Sequence, residues 1–315
     1  MRVVSGMMIA AALAGSACAA ENDTVMADDN ARVTTYTSAT AVKAFAPTPG
    51  CLWYANDAEV VQLGLKKKEM QTYQKLGTLP GNSVTCMAAD GSGNVWVGTP
   101  EGLAVRIGKD WKVFTTDNGL VDNNVTCISV PKLGGVWVGT GAGVCVQQGS
   151  SWKSYTTKDG LVSNEVQCIL VDTKGRTWVG APKGISCLEG TKWTSHTMKN
   201  GLSWNSCRAL GYDAKTNTLW AAVGEGDVNS NNGSGWHVYM SVQAGITGIA
   251  TDSYSRVWFG SETGIVKFNG EEWITGPQKI GIPMNQVSQM YCDPQGNLWF
   301  GGDTGVLMYG NPYAR

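Results

Sequence analysis

Tryptophan recurs along this chain with a regularity that few folds can accommodate. It stands at positions 53, 96, 137, 178, 220, 258 and 299, with 38 to 43 residues between successive copies. The surrounding text is shared as well: Asn94-Val-Trp-Val-Gly-Thr99, Gly135-Val-Trp-Val-Gly-Thr140, Thr177-Trp-Val-Gly180, Val257-Trp-Phe-Gly260 and Leu298-Trp-Phe-Gly301. A second tryptophan follows fifteen residues later at 111, 152, 193 and 273, and sixteen later at 236. The two series take in twelve of the 13 tryptophans and leave Trp204 outside both. A period of this length marks one supersecondary unit repeated, each copy burying its apolar face against the next.

Within the unit the pattern is that of short strands. In the fourth copy, residues 166–172, 177–180, 184–188 and 193–197 are rich in Val, Ile, Trp and Thr, as pleated and buried segments are. The breaks between them carry turn chemistry: Asp172-Thr-Lys-Gly175, Ala181-Pro-Lys-Gly184 and Glu189-Gly190. Helical solenoids share the period but would not place Gly every few residues inside the unit. Four strands per unit and seven units predict an all-β, seven-bladed β-propeller with four antiparallel strands per blade. The last copy ends at Tyr309 after three strands, and the missing one is found at the other end of the chain. Val33-Thr-Thr-Tyr36-Thr37 matches Trp152-Lys-Ser-Tyr155-Thr156, so residues 32–37 are expected to complete the last blade and close the ring. The propeller then covers 32–311 as one domain, with blade 1 (41–75) and blade 6 (245–276) the most degenerate copies. Its tryptophans are expected to fill the wedges between blades. The Asp of Asp-x-x-Gly (Asp90, Asp172, Asp293) is expected to form turns rather than bind metal.

Ahead of the repeats, residues 1–19 read as an export signal: Arg2, then an apolar stretch from Val3 to Ala14 too short to span a bilayer. Ala17-Cys18-Ala19 fits ordinary signal peptidase cleavage. Gly15-Ser16-Ala17-Cys18 looks like a bacterial lipobox that would lipidate Cys18, and both readings stay open. Residues 20–31 are polar and read as a flexible tether. The expected location is periplasmic or outer-surface, with membrane contact only through an N-terminal lipid. Formal net charge is −1 and no basic run exceeds Lys66-Lys67-Lys68, which argues against nucleic acid as a partner. Eight cysteines remain beyond Cys18, without CxxC or zinc spacing, mostly at apolar strand positions where Cys acts as a small hydrophobe. No cofactor and no metal is expected, and the chain is expected to be a monomer.

The block Asp159-Gly-Leu-Val-Ser-Asn164-Glu-Val166, followed by Asp172-x-x-Gly175-x-x-Trp178-Val-Gly180, resembles the two-component regulator propeller repeat. Versions recur at Asn118-Gly-Leu-Val-Asp-Asn123, Asn200-Gly-Leu-Ser-Trp-Asn205 and Ile280-Gly-Ile-Pro-Met-Asn285, and the resemblance covers about residues 32–310. It implies the extracytoplasmic sensor part of a hybrid histidine kinase, a type often associated with glycans. This sequence departs from that plan, with neither a membrane span nor a kinase.

In a propeller, the turns leaving each second strand and the loops between blades share one face, and loops held by a rigid scaffold carry function. The candidate ligand-binding residues there are Trp204, Asn205, Asn164, Glu165, Asp122, Asn123, Lys183 and Glu225. The repeated Asn has a competing role, satisfying backbone groups of its own loop. Trp204 in a blade-to-blade loop suits stacking on a sugar ring, and packing against neighbouring loops is its alternative. Blade 5 departs from the pattern at 225–235, where Asp227-x-Asn229-x-Asn231 loosely resembles a calcium loop and a flexible or distorted third strand is the plainer expectation. An exported, non-enzymatic, sensor-like module for a glycan or protein ligand is the reading adopted. The alternative is a propeller enzyme, a lyase or glycosidase acting on a polysaccharide or small molecule. Antibiotic-inactivating lyases share the architecture but use a histidine and metal near the axis, whereas His196 and His237 fall in outermost strands. Glu101, Glu165, Glu225 and Glu262 are the carboxylates available to a glycosidase.

Overall fold

The structure is a computed structural model that describes residues 21–25, 32–36, 41–57, 59–66, 69–74, 79–132, 134–243 and 245–310. Residues 1–19, expected as an export signal, and Cys18 within them lie outside the described residues. Seven antiparallel sheets form a ring, six of them with their strands in chain order. Blade 4 is representative: Cys168–Val171, Thr177–Ala181, Gly184–Glu189 and Lys192–His196. The first strands touch one another from blade to blade, and that of blade 7 (Val287–Cys292) meets that of blade 1 (Ala44–Thr48). The ring closes as the repeat count requires. Arg32–Tyr36 pairs with Gly305–Gly310 and supplies the fourth strand of blade 7. A fifth strand, Glu21–Val25, pairs in turn with Arg32–Tyr36, within the segment expected as a tether. That edge would otherwise stand unpaired.

Stability resides between the blades. The buried apolar side chains gather into clusters that straddle the seams; one joins Trp96, Leu103 and Phe114 of blade 2 to Val125, Val138 and Cys145 of blade 3. Within a blade, the second-strand Trp stacks on an aromatic of the fourth: Trp96 on Phe114, Trp137 on Tyr155 and Trp220 on Tyr239. The fourth-strand Trp of the next blade then meets that pair edge-on, Trp152 against Trp96 and Phe114, Trp193 against Tyr155. Both tryptophan series are thus one seam motif. At the closing blade Tyr36 stacks on Trp299 with centroids 5.8 Å apart, which is why its Tyr-Thr pair matched blade 3. Two seams lack the edge-on Trp. Met70, opposite Leu63, and Val33, opposite Tyr309, occupy the register that Trp152 holds opposite Gln147.

The recurring Asp does more than turn the chain. Asp172 Oδ1 accepts the backbone N–H of Lys174 and Arg176, and Oδ2 accepts the Trp178 indole N–H at 2.9 Å. Asp293 holds Trp299 in the same way, and Asp90 holds Trp96. Asp252 holds Trp258 at 3.0 Å, a fourth copy hidden from the Asp-x-x-Gly pattern because Ser255 takes the glycine position with φ 62°. A buried indole N–H without an acceptor would cost ~1–3 kcal/mol, so one carboxylate serves turn and core together.

Blade 5 corrects one expectation. Its polar third strand is neither distorted nor loose: Asp227–Asn231 pairs on both sides. The physical reason is that Asn229, Asp227 and Asn231 each accept a backbone N–H. Asn229 Oδ1 accepts the Ser203 N–H at 3.0 Å, as Ser186 Oγ accepts that of Val162 and Cys145 Sγ that of Val121. Asp227 Oδ1 accepts the Ser241 N–H, and Asn231 Oδ1 that of Gly233. The residues that resembled a calcium loop are committed to the chain itself.

Candidate functional site

Three inter-blade loops are built alike. Residues 119–124, 160–165 and 201–206 each begin Gly-Leu and carry Asn at the fifth place. The leucine is buried in the seam, and the asparagine Oδ1 accepts a backbone N–H of its own loop. Asn123 takes Thr116, Asn164 takes Thr157 and Asn205 takes Met198, at 2.7, 2.7 and 2.9 Å. A second acceptor closes each loop at its start, as Asn118 and Asn200 do in their 3₁₀ turns. Asn123, Asn164 and Asn205 therefore spend their carbonyl ends on rigidity, and the fourth place is free to vary. It holds Asp122, Ser163 and Trp204.

Trp204 is 53% exposed. Its ring lies against the Gly224 backbone, where an added Cβ would stand 2.6 Å from both Cγ and Cδ1. Asp122 approaches Gly141 in the same manner, so the contact belongs to the scaffold and the side chain to the loop. The Trp204 ring packs on a neighbouring turn and still presents apolar surface to solvent. Beside it, Arg208, Gly224, Glu225, Gly226 and Asp227 line a small pocket floored by Ala222, Val223 and Ile246. Exposed Glu225 stands in that turn. Glu165, Lys183, Asp122 and Asn123 share the face but belong to the loops and turns of blades 2 to 4, and they do not line this pocket.

Arg208 was not among the expected residues. The first strand of blade 5 has a β-bulge between Cys207 and Ala209 that leaves Arg208 as the extra residue. Its counterparts at bulges of blades 3, 6 and 7 are Thr126, Thr247 and Ser288. The hydroxyls of Thr247 and Ser288 bond to carbonyls of the next blade, Val287 and Val42. A bulge re-aims its side chain, and at Arg208 alone it aims a cation, exposed, at the pocket beside Trp204. Aligning the copies at Val125, Val166 and Cys207 would have revealed it.

One further group sits at the blade 4–5 seam. His196 takes the place of Phe114 and Tyr155, its ring against Trp178 and Trp236. The Trp236 indole N–H donates to His196 Nδ1 at 3.3 Å, so the imidazole is neutral, and burial lowers its pKa below the ordinary 6.5. His237 likewise lies in an outermost strand, Trp236–Tyr239. Neither histidine reaches the axis. The carboxylates Glu101, Glu165, Glu225 and Glu262 come from four different blades. Among the described residues, no group of three or more His, Cys, Asp and Glu gathers as a metal would require.

The family model described as two component regulator propeller matches residues 78–101, 160–183 and 281–304. Comparison with curated protein sequences finds no match. Among solved structures, the chain is similar to the extracellular domain of a protein described as a hybrid two component system from B. thetaiotaomicron. The TM-score is 0.71 at 21% identity, over 90% of this chain and 44% of that one. A second such extracellular domain from B. thetaiotaomicron, described as a one component system, gives 0.69 at 16%, over 91% and 39%. Streptogramin B lyase gives 0.66 at 12%, over 88% and 97%. These identities carry the fold alone, and the chain spans less than half of either sensor domain.

Proposed function

Because the chain carries two component regulator propeller repeats on a seven-bladed ring, we propose that it is an extracytoplasmic, non-enzymatic binding module of the sensor type. We place its ligand, a glycan, on the loop face of blades 4 and 5. The observation that carries this reading is Trp204, an indole backed by Gly224 and open on its solvent side, flanked by Arg208 and Glu225. An aromatic face offers apolar contact to the C–H face of a sugar ring, while a guanidinium and a carboxylate supply donors and acceptors for hydroxyls around it. Asn205, Asn164 and Asn123 keep the loops rigid, so little ordering entropy opposes binding. Glu165, Lys183 and Asp122 form the outer part of the same face.

The extracellular placement of the similar sensor domains supports the location. The lyase alternative draws on architecture, but the two histidines stand in seam and rim positions rather than at the axis. The test is a glycan array probed with the wild-type chain and Trp204→Ala. The variant should lose the bound glycans while its unfolding free energy moves by less than ~0.5 kcal/mol, as for a surface change. Glycan binding that survives Trp204→Ala would remove the site.

A further inference from the structure

At one seam two thiols from adjacent blades meet over the same glycine. At the start of each first strand the other blades carry an aliphatic residue, among them Val84, Val125, Val166, Ile246 and Val287. Blade 5 alone carries cysteine there, Cys207, in register with Val223 as Val125 is with Thr140. Cys86, Cys127 and Cys168 form a second series two residues further on, each against a second-strand glycine: Gly98, Gly139 and Gly180. The absence of a Cβ at those glycines makes room for sulfur. At Gly98 the missing Cβ would meet Cys86 Sγ and Val125 Cγ1, and at Gly139 it would meet Cys127 Sγ and Val166 Cγ1. At Gly180 it would meet two sulfurs, Cys168 Sγ at 2.4 Å and Cys207 Sγ at 2.8 Å from that one point. The two thiols share a single glycine-lined space across the blade 4–5 seam, and Cys168 Sγ also lies 3.8 Å from the Cys207 carbonyl.

We infer that Cys168 and Cys207 are a redox pair that closes to an intramolecular disulfide linking the first strands of blades 4 and 5. Both are free thiols in this structure. In the oxidation each thiol gives up its hydrogen and one S–S bond forms between them. The two electrons and two protons pass to the disulfide of an oxidised dithiol partner, which breaks to two thiols. The hydrogen bond shared with the Cys207 thiol, and after it burial, push the Cys168 thiol well above its ordinary range, so little thiolate is available in the folded ring. The exchange therefore belongs to folding, when the seam is open, in the kind of compartment where such oxidants act. The bridge would anchor the foot of the 201–206 loop, three residues from Trp204. Its existence is independent of which ligand that loop takes.

The test is refolding of the full chain in a mixture of reduced and oxidised glutathione, followed by denaturation, alkylation and peptide mapping without reductant. The expected result is a peptide containing Cys168 joined to one containing Cys207, with two fewer alkylated thiols than after reduction. Cys207→Val, which installs the residue of blades 3 and 4, should fold with the same circular dichroism and lose only that linkage. Full alkylation of the refolded wild type, or a linkage joining any other cysteines, would overturn the pair.

Discussion

The seam between blades 2 and 3 and the seam between blades 4 and 5 follow one plan with different side chains. In the first, Trp96 stacks on Phe114, Trp152 closes edge-on, and Cys86 faces Val125 over Gly98. In the second, Trp178 meets His196, Trp236 donates to that imidazole, and Cys168 faces Cys207 over Gly180. On the face above, Asp122 and Thr126 of the first correspond to Trp204 and Arg208 of the second. The backbone roles are common: Cys145 and Asn229 each accept a loop N–H, and Asn123 and Asn205 each close their loop. A repeat protein thus separates its duties by position. What all blades share is packing, and what one seam does alone is where chemistry can be read.

The largest effect should be the same at both seams. Trp96→Ala and Trp178→Ala each remove a buried indole, and each should lower the unfolding free energy by about 3–5 kcal/mol in denaturant titrations. A Trp178 variant costing under ~1 kcal/mol would break the equivalence, because it would mean that His196 has loosened that wedge.

A smaller effect should separate the seams through pH. The unfolded imidazole of His196 takes a proton near pH 6.5, whereas burial makes the folded one resist it, and protonation would remove the lone pair that accepts the Trp236 N–H. Below pH 6.5 the unfolded chain therefore binds more protons than the folded chain. This contribution to stability is fully present above that pH and is lost as the pH falls through it. His196→Tyr, the residue of blade 3, should reduce the acid loss of the melting temperature between pH 7 and 5. An unchanged slope would assign the acid sensitivity to another group.

The seven-fold period, the four strands per blade and the closure by residues 32–36 could all be read before any coordinates, because tryptophan spacing and turn residues are local signals. Trp204 was legible as the tryptophan outside both series. Arg208 was missed because it departs from Thr126, Thr247 and Ser288 only when the copies are aligned at the first-strand bulge. The polar strand of blade 5 misled for a related reason. Asn229 and Asp227 suggest a loop when burial is judged by residue type, and only the loop N–H groups of Ser203 and Ser241 reveal their partners. Nor could spacing pair Cys168 with Cys207, whose meeting depends on how adjacent first strands pack over Gly180.

The most direct test rewrites blade 5 in the text of blade 4. The double variant Trp204→Ser/Arg208→Gln installs the residues found at 163 and 167 and touches no seam cluster. Assayed against the glycans bound by the wild-type chain, it should bind none of them while keeping the wild-type unfolding midpoint. Undiminished binding by this variant would contradict the claim that function lies where one blade departs from its repeat.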